Sequence, residues 1–154
     1  MTPEQYTFQR ITRCVDIVRY WPFFVTGFAF TSRFLHYPYT LETYRRVILK
    51  LVKTPTAYVG IVFDSSGDPV CFGAAYESTP VLFASQREYD IPFLYHQPTK
   101  VEATEVLRVE FERFCRQRGV KRYSMTSASF GKSTQECYGR YGLSRSYITY
   151  KREL

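Results

Sequence analysis

The sequence is poor in the residues that build metal and redox centres. It has two histidines, His36 and His96, and four cysteines, Cys14, Cys71, Cys115 and Cys137, which stand far apart. None has the close Cys-Cys or Cys-His spacing of a zinc site, so no metal is expected. No charged N-terminal segment leads into an apolar run and a small-residue cleavage site, so an intracellular chain with reduced thiols is expected. Long hydrophobic runs are missing as well. The longest apolar stretch, Trp21 to Phe30, is broken by Pro22, Thr26 and Gly27 and is too short to span a bilayer. Internal repeats, low-complexity tracts and linkers are absent, which argues for one domain over residues 1–154.

Acidic residues are the minority: 14 Asp and Glu stand against 21 Lys and Arg, a formal charge of +7. The basic residues, among them Arg10, Arg13, Arg19, Arg45, Arg46, Arg116, Arg118, Lys121 and Arg122, are scattered along the chain without a long run. Solubility is the ordinary explanation, and a nucleic-acid binder is a weaker alternative that requires basic side chains gathered on one face. What the chain has in abundance is rings. With 14 Tyr and 13 Phe and a hydrophobic content of 45%, it is not a disordered tail, and its core must be largely aromatic.

Local patterning supplies the elements. Tyr6 to Ile11 alternates weakly as a short strand, and Arg13 to Tyr20 fits a helix that Pro22 ends or restarts. Leu41, Tyr44, Val47, Ile48 and Leu51 recur at helical spacing behind a Thr40 cap, and this helix stops near Pro55. Tyr58 to Phe63 and Val70 to Tyr76, joined by Asp64-Ser65-Ser66-Gly67-Asp68, predict an antiparallel hairpin. Val81 to Ala84 continues the meander, and Pro92 within the strand Tyr89 to Tyr95 predicts an edge or a bulge. A long helix is expected from Thr99 to Arg118, closed by Gly119. After it come a strand from Arg122 to Thr126, a helix from Lys132 to Tyr141 and a strand from Ser146 to Lys151.

The closing segment Tyr138-Gly139-Arg140-Tyr141-Gly142-Leu143, followed by Ser146 to Leu154, resembles the end of the GNAT acyl-CoA N-acyltransferase superfamily, especially its small phage-encoded members. Phe114-Cys115-Arg116-Gln117-Arg118-Gly119-Val120 and the strand after it resemble the family's cofactor helix and following strand. The resemblance covers residues 57–154, the sheet and cofactor-helix part, and residues 1–56 form a helical N-terminal part. It implies an α/β (α+β) fold with a mixed, mostly antiparallel central sheet flanked by helices.

The same resemblance implies acyl-CoA in an opening between two parting strands. There, strand amides polarise the carbonyl, and a loop of the form Gln/Arg-x-x-Gly-x-Gly/Ala meets the pyrophosphate at a helix N-terminus. Here that loop is Gln97-Pro98-Thr99-Lys100-Val101-Glu102-Ala103. Gln97, Thr99, Lys100 and Val101 are the candidate acetyl-CoA contacts. Lys100 and Glu102 replace small residues, and Pro98 removes a donor. Tyr138 aligns with the family's general acid, against its reading as a packed ring. Glu77 is a base candidate, with Glu88 and Asp90 beside it. His96 is a base, a phosphate partner or a hydrogen-bonded residue at a strand end. Gly131-Lys132-Ser133-Thr134 imitates the end of a nucleotide-binding loop, but Thr126 stands where that motif needs glycine.

The ring-rich segment Trp21 to Tyr39 reads as core or as a contact surface for a protein partner or a second copy. Taken with the altered loop, it points to a GNAT-like protein of little or no catalytic power. Such a protein would act through protein contacts, as in a structural component of a phage particle. The alternative is an active acetyl-CoA-dependent N-acetyltransferase.

Overall fold

A computed structural model describes residues 5–31, 40–78 and 87–125, together with Gly139. In chain order the elements are β1 (Thr7–Arg10), α1 (Cys14–Arg19), α2 (Trp21–Thr31), α3 (Leu41–Lys53), β2 (Tyr58–Phe63), β3 (Pro69–Ser78), β4 (Glu88–His96), α4 (Ala103–Gln117) and β5 (Tyr123–Met125). The strands form one sheet in the order β1-β2-β3-β4-β5, antiparallel except for the β4–β5 pair, which is parallel. The expected mixed, mostly antiparallel sheet flanked by helices is the observed one. Val81–Ala84, Lys132–Tyr141 and Ser146–Lys151 fall outside the described residues, Gly139 excepted.

All six residues of β2 are buried, so this strand needs cover on both faces. On one face Val59, Ile61 and Phe63 pack with Ile17 of α1, Phe23 and Phe24 of α2, Tyr44, Ile48 and Leu51 of α3, and Phe72. On the other, Tyr58 and Val62 meet Leu107, Phe111 and Phe114 of α4. The rings interlock at tilted and edge-on angles, with Phe24–Phe72 centroids 4.6 Å apart and Tyr58–Phe111 centroids 5.0 Å apart.

Local chemistry sets the element ends. Thr40 Oγ1 accepts the Thr43 amide at 3.1 Å and caps α3. The β2–β3 turn closes around Asp64, whose Oδ1 accepts the amides of Ser66 at 3.0 Å and Asp68 at 3.1 Å, while Gly67 takes the left-handed conformation at φ 82°. Pro22 restarts rather than ends the helical run, sitting in the first turn of α2, where a missing amide costs nothing.

One boundary differs from the sequence pattern. The long helix begins at Ala103, not Thr99, because residues 97–103 form successive turns in which the Lys100 amide donates to Gln97 O at 2.9 Å and the Ala103 amide to Lys100 O at 3.1 Å. Within the ring-rich segment, Phe23 and Phe24 are core, Trp21 and Phe28 pack against it, and Phe30 is 46% exposed. Phe34, Tyr37 and Tyr39 fall outside the described residues.

Two stability measurements check this packing. A Cβ at Gly27 would lie 2.5 Å from Cε1 of the buried Phe72 ring and 3.2 Å from the Tyr95 ring. Gly27→Ala is therefore expected to lose about 1–2 kcal/mol in denaturant unfolding, the crowding outweighing the helix preference of alanine. The Tyr58 hydroxyl is buried without a hydrogen-bond partner among the described residues. Tyr58→Phe is expected to raise unfolding stability by about 1 kcal/mol, since it removes an unsatisfied polar atom and keeps the ring.

Candidate active site at the bulge of the fourth strand

Pro92 lies inside the sheet, between β3 and β5, at a bulge. Ala74 faces Phe93 and Tyr76 faces Asp90, so Ile91 and Pro92 together oppose Ala75. A residue with no N–H fits where the ladder is interrupted. Upstream of the bulge, β4 pairs with β5 at Tyr89↔Tyr123, Asp90↔Ser124 and Ile91↔Met125. Downstream, residues 93–96 of β4 pair with β3, and the described part of β5 ends at Met125, opposite Ile91.

Beside the bulge lies a cavity of about 40 Å³ between the sheet and α4, lined by Ala75, Ile91, Leu94, Leu107, Phe111 and Tyr123 among others. Its lining is almost wholly apolar, with Thr104 and Arg108 of α4 on one wall. Arg108 is held there by Glu105 and by Glu112 at 2.7 Å. Tyr123 donates to Glu112 at 3.0 Å, and burial, followed by the neighbouring carboxylate, pushes its phenol up to about 12.

Beyond β4 the chain enters the loop that precedes α4. The Gln97 amide donates to Val70 O at 2.9 Å and its side chain donates to Pro69 O at 3.3 Å, so Gln97 extends the β3 pairing by one residue. His96 Nδ1 lies 2.8 Å from Gln97 O, the hydrogen-bonded role at a strand end. Thr99, Val101 and Glu102 are exposed, and their backbone amides make no hydrogen bond among the described residues. Such amides and the positive end of the helix dipole favour an anion. The side chains oppose one. Lys100 pairs with Asp64 of the β2–β3 turn at 3.7 Å, and Glu102 stands at the N-cap of α4 without capping it.

Glu77 lies elsewhere. It faces Tyr89 across the β3–β4 pair, whereas Cys71, beside the loop, faces His96. Six residues of strand put Glu77 about 20 Å from the loop. Arg87 donates to its Oε1 and Arg118 donates to its Oε2 at 3.3 Å. The Arg87 hydrogen bond, supported by Arg118, holds this carboxyl below the usual carboxylate range. Asp90 is next to the bulge and accepts a hydrogen bond from Ser124 of β5. Gln97, Thr99, Lys100 and Val101 are thus brought together, Glu77 is not with them, and Tyr138 falls outside the described residues.

Two participants escape a reading of the sequence: Asp64, which takes the ammonium of Lys100, and the Gly73–Ala75 run, which opens room beneath β4. Asp64 looks like an ordinary turn residue, and nothing in its neighbourhood along the chain points to Lys100.

The ion pairs of Glu77 predict a pH dependence. A carboxyl with a depressed folded pKa stabilises the fold above its unfolded pKa, and that contribution fades as pH falls through the folded value. Glu77→Gln is expected to lower the melting temperature near pH 7, with the gap to the parent protein closing as the pH approaches about 3. A gap independent of pH would show that the ion pairs do not contribute.

Comparison with known proteins agrees with this architecture. No family model and no curated protein matches the sequence. Solved structures do match. A probable acetyltransferase superposes with a TM-score of 0.71 at 15% identity, over 97% of both chains. The aminoglycoside 6'-N-acetyltransferase of Acinetobacter baumannii does so at 0.70 and 10% identity, over 97% of this chain and 99% of that one. The glucosamine-6-phosphate N-acetyltransferase of Arabidopsis thaliana does so at 0.66 and 14% identity, over 96% and 97%. At such identities the likeness speaks for the fold: the chain has the fold of the GNAT acetyltransferases.

Proposed function

We propose that this GNAT-fold protein has little or no transferase activity and works through protein contacts, including the phage-particle role that the sequence resemblance implies. The Asp64–Lys100 pair carries the reading. In a loop that would receive the diphosphate of acetyl-CoA, the cation is already neutralised by a carboxylate, and Glu102 adds a negative charge at the helix start. Three unbonded amides remain, but a diphosphate would meet two carboxylates and one shared ammonium. The loop does not fit the group. Glu77 adds to this, because a carboxyl held ionised by two guanidinium groups is a weak base.

A second reading, an active N-acetyltransferase, draws support from the bulge at Pro92 and from the fold shared with solved acetyltransferases. In that reading Gln97, Thr99, Lys100 and Val101 form the cofactor loop, and Tyr138 is the general acid.

Calorimetric titration with acetyl-CoA separates the two. The expected result is no measurable binding by the parent protein up to about 1 mM, a ceiling of roughly 4 kcal/mol. Asp64→Asn keeps an acceptor for the turn amides while removing the carboxylate charge beside Lys100, and is expected to bind more tightly than the parent. Saturable binding by the parent that weakens in Lys100→Ala would favour the transferase. Tyr138→Phe should then lower turnover and leave affinity nearly unchanged.

A further inference from the structure

The cations of this chain are treated differently on the two faces of the sheet. On α4 each arginine has a carboxylate: Arg108 pairs with Glu105 and Glu112, Arg113 with Glu110, and Arg116 with Glu112, while Arg118 just beyond the helix pairs with Glu77. On α3, Arg46, Lys50 and Lys53 are exposed and make no ion pair among the described residues. Their spacing of four and three residues sets them in one row, opposite the buried row of Tyr44, Ile48, Leu51 and Val52. At 1.5 Å per residue the row runs about 10 Å along the helix.

Arg45, whose guanidinium lies 5.9 Å from the Trp21 ring centroid, and the exposed Arg19 of α1 add to this face, and Glu42 is its one uncommitted carboxylate among the described residues of α1 and α3. Asp16 is buried and bound to Arg13. Lys50 and Lys53 complement the dipole at the end of α3, but Arg45 and Arg46, in mid-helix, have no such role.

The same face carries exposed aliphatic groups. Val15 and Val18 of α1 are 61% and 63% exposed, three residues apart, on a helix whose Ile17 packs into the same core cluster as Tyr44, Ile48 and Leu51 of α3. Paired aliphatic side chains on α1, a helix in contact with α3 and its row of exposed cations, match the two faces of an acidic amphipathic helix. We infer that the α1–α3 face docks such a segment of a partner protein, whose apolar stripe covers Val15 and Val18 and whose carboxylates meet Arg46, Lys50 and Lys53.

Nucleic acid is the less suited occupant. Single strands are held by stacking on exposed rings, whereas Tyr20 and Trp21 are half-buried with Arg19 and Arg45 over them, and the exposed Phe30 of α2 lies against Tyr95 of β4. Phosphates, moreover, leave the valines without a partner. The inference names the partner class for the protein-contact reading and so rests on that reading. The two fail separately, because acetyl-CoA binding reports on the α4 side of the sheet.

The test is fluorescence anisotropy on the full chain with a labelled helical peptide of about 16 residues, leucines on one face and glutamates on the other. A scrambled peptide of equal composition and a duplex DNA serve as competitors. Expected are saturable binding, weaker affinity at higher salt, and at least tenfold loss for the scrambled peptide. The double variant Arg46→Glu/Lys50→Glu should lose affinity by at least tenfold, and Val15→Ser/Val18→Ser by several-fold, each with unchanged circular dichroism. Absence of binding, equal affinity for both peptides, tighter binding of the DNA, or indifference to either variant pair would overturn the inference.

Discussion

Burial of β2 on both of its faces is the constraint from which the rest of the structure follows. A strand with all six residues inside cannot sit at a solvated sheet surface, so the chain must supply two separate layers of helix. The first layer, α1 to α3, comes before the strand, and the second, α4, comes after β4. Between them the aromatic side chains fill the space, Phe24 and Phe72 on one side and Tyr58, Tyr89 and Phe111 on the other. Close approach has its own demands: glycine at position 27 lets α2 lie against Phe72 and Tyr95 at a distance no side chain would allow.

The same layering separates two chemistries. Against the α4 face lie the bulge, the cavity and the loop, with cations locked in pairs by Glu77, Glu105, Glu110, Glu112 and Asp64. Toward the α1–α3 face, Arg46, Lys50 and Lys53 of α3 are exposed and make no ion pair among the described residues. Charge complementarity within the α4 region makes it self-contained, and a phosphate-bearing ligand would have to displace interactions already made.

Much of the fold was legible along the chain. Thr40 announced the start of α3, the Asp64 to Asp68 turn announced the hairpin, Pro92 announced the bulge, and Gly119, at φ 70°, the end of α4. Each of these is a local signal, decided by dihedral preference or by a side chain reaching its own backbone. The start of α4 was misplaced because Thr99, though a good capping residue by type, lies inside a turn that the Lys100 amide closes on Gln97 O. Candidate contacts Gln97 to Val101 were identified by likeness to a loop pattern, but their present partners were not, since Pro69, Val70 and Asp64 belong to strands and turns distant in sequence.

By itself the sequence determined which of the described stretches are helix or strand, that rings would form the core, and that the loop before α4 departs from the form of the loop it resembles. These follow from periodicity, side-chain size and backbone stereochemistry, which act within a few residues. Only the tertiary structure decided that Asp64 takes the charge of Lys100, that Glu77 is bound between Arg87 and Arg118, and that scattered basic residues divide into a paired set on α4 and an unpaired row on α3. Ion pairing depends on distances of a few ångströms across elements, and those distances exist only once β2 has drawn both helical layers onto the sheet.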